Sequence, residues 1–237
     1  SLKGLRFDDI KLADYYCDIK DHSREVELLS PSNTKTGYFV ETGWHSSFAG
    51  TKLPDQNTVW KASSDILEEG KTVNFTWKND DNVEFIVAVT IDQNYMFTIE
   101  QSIINNSSKP IAAQPYGIVN RIYASTEPSS SILHEGLIGA IEDKLEDATY
   151  ENIKDKKTRH FNEAKVNWLG ITDKYWLTAL IPDKNFQYIA NFSYGVVSGQ
   201  DRYQADFIGT QHIVEPGKKF TITNMLFTGA KKVNLLD

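Results

Sequence analysis

An all-β sandwich is the fold that this sequence predicts, and three observations carry the prediction. Apolar and polar residues alternate with a period of two in runs rich in β-branched and aromatic side chains, above all residues 83–89 and 95–103. Polar turns at residues 79–82 and 92–94 join these runs into a meander. Helical periodicity is scarce. So many strands in one chain predict two large packed sheets, which bury their faces against each other.

The remaining strands are justified by composition and by the turns that bound them. Residues 215–218 predict a type II turn, because Pro216 presets φ at the second position and Gly217 accepts a positive φ at the third. The predicted strands are residues 37–44, 73–77, 83–89, 95–103, 116–124, 176–181, 188–194, 205–214 and 220–227.

Two segments predict short helices, and a third is ambiguous between helix and strand. We expect one short helical turn in residues 62–70 and a short C-terminal helix in residues 230–237. For residues 141–153 we favour a strand hairpin, because the apolar residues form no clean helical stripe. The polar loop at residues 125–131 has strands on both sides, so we expect residues 1–237 to form a single domain.

Composition excludes several classes of function. The chain has 25 Lys and Arg against 32 Asp and Glu, a net charge of −7, which argues against a nucleic-acid binder. The sequence has no run of 18 consecutive apolar residues, so we expect no transmembrane helix inside the chain. Cys17 is the single cysteine, so neither an internal disulfide nor a cysteine-rich zinc site is expected, and we interpret it as a small strand residue. The chain starts at Ser1 without a signal segment, which is typical of a cytoplasmic protein or an excised fragment.

Catalytic motifs are absent from the sequence, so we expect no enzyme and no cofactor. The Walker, dinucleotide-binding, His-Glu-x-x-His and Gly-x-Ser-x-Gly patterns do not occur. Glu84 and Glu100 could form a pair of carboxylates across the meander, although outward-facing glutamates are the default on a sheet with one wet face. The five histidines are too scattered to predict a metal site: His22, His45, His134, His160 and His212.

The aromatic content of 12% also allows a carbohydrate-binding interpretation, because flat rings stack on sugars. Tryptophans in strands more often fill a sandwich core, so we favour that role. The candidates are Trp44, Trp60, Trp77, Trp168 and Trp176.

Four segments, in order along the chain, resemble one known family. Residues 1–12 (SLKGLRFDDIKL) resemble the start of the large periplasmic domain of the YidC membrane-protein insertases of Gram-negative bacteria. Residues 26–31 and 38–44 are similar to the Gly-Trp segment of that family, and residues 168–182 to its Asp-Lys-Tyr-Trp segment. Residues 215–232 are similar to its final strand and the helix that leads to the membrane.

This resemblance implies a β-supersandwich like that of the galactose mutarotases, formed by mainly antiparallel strands. It also implies a non-enzymatic fragment of a polytopic protein at the periplasmic face of the inner membrane, held there by flanking transmembrane helices outside this chain. The expected role is to assist insertion and folding of inner-membrane proteins, as a docking module for accessory subunits of the Sec translocon. Nascent inner-membrane proteins would be contacted by the membrane core outside this chain, and we expect the isolated domain to be a monomer.

Residues 141–157 mix acids and bases, and such a charge-dense stretch is usually a solvated face. The functional alternative is a partner surface, in which the candidate residues are Glu142, Asp143, Glu146 and Asp147. Such charges steer a partner mainly through the association rate. Two alternatives remain open. One is a sugar-active enzyme of the aldose 1-epimerase type, for which the Asn-His-x-x-Phe-Asn-Leu pattern has no counterpart here; the other is a carbohydrate-binding sandwich.

Overall fold

The computed structural model describes residues 1–16, 23–47, 50, 52–122 and 134–231. Within these residues one short helix, α1 (Tyr150–Lys156), accompanies the strands. The strands are β1 (Arg6–Phe7), β2 (Ile10–Tyr16), β3 (Glu25–Leu29), β4 (Tyr38–His45), β5 (Lys61–Ala62), β6 (Thr72–Lys78), β7 (Val83–Ile91), β8 (Met96–Asn105), β9 (Ile111–Ile122), β10 (Gly136–Ile141), β11 (Lys144–Thr149), β12 (Thr158–Ala164), β13 (Val166–Thr172), β14 (Trp176–Ile181), β15 (Tyr188–Val197), β16 (Gln200–Gly209), β17 (His212–Val214) and β18 (Lys219–Ala230).

Two large antiparallel sheets form the protein, which confirms the predicted all-β sandwich. The nine-stranded sheet has the order β11-β10-β13-β14-β18-β8-β7-β6-β5. The seven-stranded sheet has the order β1-β4-β9-β16-β15-β12, and β17 also pairs with β9. Strands β2 and β3 form a separate antiparallel pair.

The hydrophobic core lies between the two large sheets, because alternate residues of each strand point inwards. On β7 the buried residues Val83, Phe85, Val87 and Val89 alternate with less buried ones. Their cluster also contains residues of the seven-stranded sheet, such as Phe207. Two sheets packed through alternating inner faces bury their apolar side chains without a disulfide.

Most of the predicted strands are confirmed, with shifts at their ends. The strand predicted at 116–124 begins five residues earlier, at Ile111, and its residues 123–124 lie outside the described residues. The predicted turn at residues 215–218 is also confirmed: Lys218 N donates to Glu215 O at 3.0 Å, and Gly217 has a φ of 74°. The predicted strand at residues 205–214 is instead divided between β16 and β17, which pair with different parts of β9.

The hairpin predicted for residues 141–153 is correct only in its first part. Strands β10 and β11 pair around a turn at Glu142 and Asp143, but α1 then begins at Tyr150. The Thr149 side chain accepts a hydrogen bond from Asn152 N at 3.2 Å and caps the helix. The helix buries Tyr150 and Ile153, three residues apart and therefore on one face.

The helical turn predicted in residues 62–70 is wrong. Ala62 ends β5, and Ser63 N donates to Asn74 O at 2.8 Å, which continues the contact with β6. The Ser64 hydroxyl accepts from Ile66 N at 3.1 Å, so the serine side chain competes with a helix for the backbone. In the C-terminal segment Ala230 still belongs to β18, and residues 232–237 lie outside the described residues, as do Cys17 and the loop at 125–131.

Candidate functional site

The two glutamates that could have formed a catalytic pair are not opposite each other. In the register of β7 and β8, Glu84 pairs with Ile104, and Glu100 pairs with Ala88. The four-residue offset along the strands separates them by about 13 Å. Glu100 is exposed on the outer face of the sheet, as expected for a solvated carboxylate.

Metal ligands do not converge in the part of the chain that the structure describes. Within it, no group of three His, Cys, Asp or Glu side chains could hold an ion. His160 Nδ1 lies 2.6 Å from Asn191 Oδ1, and His212 stacks on Phe220 with ring centroids 3.8 Å apart.

The tryptophans divide between core and surface. Trp44 and Trp60 are buried in the main core, and Trp77 packs against it. Trp168 is different, because it packs against a second, smaller apolar cluster on the outer face of the nine-stranded sheet.

This second cluster is the floor of a groove of about 420 Å³. Its buried members are Leu177 and Ala179 on β14 and Phe227 on β18. On β14 these residues alternate with Thr178 and Leu180, which face the main core, so the cluster lies on the opposite side of the sheet. Strands β13 and β14 are consequently apolar on both faces, which is unusual for an antiparallel sheet with a solvated side.

The walls of the groove come from strands on either side of its floor. Ile138 on β10, Trp168 on β13 and Leu145 on β11 form one wall, and Met96 on β8 forms the other. Leu145 is 67% exposed although it is an aliphatic residue. Contiguous exposed apolar surface of this kind marks an interaction site.

Charged side chains line the groove at one end and at one side. At one end Lys231 Nζ donates to Thr172 Oγ1 at 3.2 Å, and burial lowers the pKa of this lysine. At the side, His134 Nδ1 lies 3.4 Å from a carboxylate oxygen of Asp147, so the charges of that pair offset each other when the imidazole is protonated.

The four acidic residues predicted as a partner surface lie on the β10–β11 hairpin, at one edge of the nine-stranded sheet. Glu142 Oε1 accepts from Lys165 N at 2.6 Å, and Asp143 Oδ1 lies 3.1 Å from Lys165 Nζ. Glu146 pairs with Arg159, and Asp147 with His134.

Hydrogen bonds from Asn167 and Lys165 hold the pKa of Asp143 below its usual range. Each of the four acids therefore has a partner within the chain. The hairpin also carries Leu145, so the acidic residues border the groove.

Comparison with known proteins supports the predicted fold. A galactose mutarotase-like protein from Lactobacillus casei matches 81% of this chain and 85% of its own, with a TM-score of 0.54 and 9% sequence identity. A galactose mutarotase related enzyme from Lactobacillus acidophilus matches 73% of this chain and 72% of its own, with a TM-score of 0.51 and 11% identity. At such low identity these similarities show the shared β-supersandwich alone.

Sequence relatives are far more similar. The membrane protein insertase YidC of Rickettsia bellii is 52% identical over 237 residues, and that of Rickettsia felis is 50% identical over the same length. Both matches cover the whole of this chain but 42% of the relative. The relatives carry the name of an insertase, so the sugar-active alternative is set aside.

The model of the YidC periplasmic domain family matches residues 1–237. Within the described residues no helix is long and apolar enough to cross a membrane. Because the family model covers the whole sequence and the relatives are at least half identical to it, the chain belongs to the YidC periplasmic domain family, whose place is the periplasmic face of the inner membrane.

Proposed function

We propose that this domain assists membrane-protein insertion by holding apolar segments of client proteins in the groove over β14 and β18. The relatives are named membrane protein insertases, and a client of such a protein contains long apolar segments. The observation that carries the proposal is the second apolar cluster on the outer face of the sheet.

The dimensions of the groove suit an extended segment. Leu177 and Ile181 both line it and are four residues apart on β14, which gives a length of about 13 Å. Four to five residues of an extended client chain span that distance. Alternate side chains of the client would then enter the groove, and apolar area removed from water would supply the affinity.

The test uses the full-length protein in lipid nanodiscs and a fluorescent, capped apolar peptide of eight residues. We expect the double variant Leu145→Asn, Ile181→Asn to weaken binding roughly tenfold or more in fluorescence anisotropy, because two aliphatic contacts are lost. The matched control is Ile189→Asn, Ile213→Asn, which alters two exposed aliphatic residues of the seven-stranded sheet. Equal weakening by both double variants would contradict the proposal.

A second role, docking of Sec accessory subunits, is favoured by the position of the acidic β10–β11 hairpin at a sheet edge beside the groove. Because carboxylates at such an exposed edge stay in contact with water, their effect on a partner subunit would be felt chiefly in the association rate and would weaken with salt. The interaction involves the exposed faces of the same four acids: Glu142, Asp143, Glu146 and Asp147.

Charge reversal of all four acids to lysine is then expected to reduce co-purification of the full-length protein with the Sec accessory subunits. The control reverses four acids near the opposite edge of the same sheet, Glu68, Glu69, Asp80 and Asp81, and changes the net charge equally. Unaltered co-purification of the hairpin variant at low ionic strength would exclude this surface.

A further inference from the structure

The groove has a cation at one end. Lys231 follows the last residue of β18, and its backbone N donates to Tyr175 O at 2.9 Å, which fixes the lysine beside the turn between β13 and β14. Its ammonium group donates to the Thr172 hydroxyl at 3.2 Å and lines the groove together with it. A backbone contact and a side-chain contact thus hold this charge at the mouth of an apolar trough.

Within the described residues, carboxylates act on this charge from a distance but none pairs with it. Asp173 is engaged by Arg121, and Glu135 acts on Lys231 only through its field. Among the ion pairs of the described residues, none includes Lys231. A partly desolvated ammonium with a neutral hydroxyl as its acceptor favours an incoming anionic group, since charge-assisted hydrogen bonds are stronger than neutral ones.

The opposite end offers no such charge. Its lining is apolar, from Leu145, Trp168 and Ile181. His134 lines the side of the groove instead, and it already faces Asp147 at 3.4 Å. The two ends of the groove therefore differ: its lining is apolar along its length and cationic at the Lys231 end.

We infer that the groove selects extended apolar polypeptide segments that carry an acidic residue at the end seated against Lys231 and Thr172. This inference rests on the proposed function and adds the chemistry of the preferred client. Four to five apolar residues of the client fill the groove over its length of about 13 Å, and the carboxylate that follows them reaches the ammonium group of Lys231.

The experiment compares two sets of capped fluorescent peptides with the same apolar octamer. Each set has two peptides, one with an extra residue at the N-terminus and one with it at the C-terminus, because the orientation of the client in the groove is not fixed. The extra residue is Asp in one set and Asn in the other. With the full-length protein in nanodiscs, we expect one Asp peptide to bind about three- to tenfold more tightly than its Asn counterpart. Lys231→Met should abolish this preference while the Asn peptide still binds.

The matched control is Lys174→Met, which removes an exposed lysine at the same end of the sandwich but outside the groove. Equal binding of Asp and Asn peptides to the wild type would overturn the inference but leave the proposed function standing. A preference that survives Lys231→Met, or disappears with Lys174→Met, would overturn it as well.

Two further outcomes are decisive. If neither peptide binds, the proposed function fails and the inference fails with it. Laurate, an acyl chain with a carboxylate, is the remaining probe: displacement of the Asp peptide by laurate that binds more tightly would assign the groove to a lipid and overturn the inference.

Discussion

Arg121 should be among the most sensitive positions of this domain, because its buried charge joins three separate elements. From β9 the guanidinium pairs with Asp173 in the turn after β13 and donates to the Tyr150 hydroxyl of α1 at 3.3 Å. It also lies over the Tyr38 ring, 4.7 Å from its centroid. Burial is the largest effect that raises the pKa of that tyrosine above its ordinary value.

The expected cost of Arg121→Met follows from this environment. Breaking one partner of a buried ion pair costs about 3–5 kcal/mol, because the other charge is left uncompensated. Both side chains retain 18% exposure, so we expect a value near the lower limit, about 3 kcal/mol. For a chain of this size that loss lowers Tm by roughly 6–12 °C.

The assay is urea unfolding of the 237-residue chain, with a double-mutant cycle. Arg121→Met, Asp173→Asn should be more stable than Arg121→Met alone by about 1 kcal/mol or more, because the uncompensated carboxylate is gone. The control is Arg159→Met, whose pair with Glu146 is more exposed and should contribute at most about 1 kcal/mol. Equal losses for Arg121→Met and Arg159→Met would refute the reasoning.

Three further predictions concern the packing at Gly117, the cap of α1 and the partly buried carboxyl group of Asp206. A Cβ on Gly117 would lie 2.6 Å from the Phe207 ring, so Gly117→Ala should cost about 1–3 kcal/mol in urea unfolding, whereas Gly195→Ala, with open space around it, should be nearly neutral. Thr149→Ala removes the cap of α1 and should cost about 1 kcal/mol by the same measurement; a loss as large for Thr149→Asp would contradict the capping role. Burial raises the pKa of Asp206, so the folded state keeps its proton where the unfolded chain, with a pKa of about 3.9, has lost it. The contribution of this group to the free energy of unfolding therefore falls as pH rises from the unfolded pKa to the raised folded pKa. In this pH range the decrease of Tm with pH should be smaller in Asp206→Asn than in the wild type. An unchanged decrease would contradict the assignment.

The strands could be predicted from the sequence because their signal is local. Alternation in residues 83–89 and the Pro216–Gly217 turn each need only a few neighbouring residues. The helix α1 could not be predicted in this way. It has seven residues, about two turns, and its two buried residues, Tyr150 and Ile153, are too few to show a helical period in the sequence. Its capping residue, Thr149, was the available signal.

The groove is not visible in the sequence because its parts are distant along the chain. Met96, Trp168 and Phe227 meet only through the strand order β13-β14-β18-β8, which sequence patterns do not specify. One signal was present: β14 is buried at four consecutive residues, and such nearly continuous apolar runs are typical of strands covered on both faces.

The partners of the acidic hairpin were equally hidden. Arg159 reaches Glu146 from β12, and Lys165, the residue after β12, reaches Asp143. The charges of residues 142–147 could therefore be counted from the sequence but not paired. Counting charges predicted a surface, and the fold determined how much of that charge remains available.

Photo-crosslinking in cells tests the central claim, that the groove contacts client membrane proteins. A photoreactive phenylalanine analogue replaces Leu145 in the full-length protein, and Ile213, an exposed residue of the seven-stranded sheet, in the control. During synthesis of a stalled membrane-protein client, we expect adducts from position 145 and few from position 213. Adducts of equal yield from both positions, or from position 213 alone, would contradict the assignment of the groove.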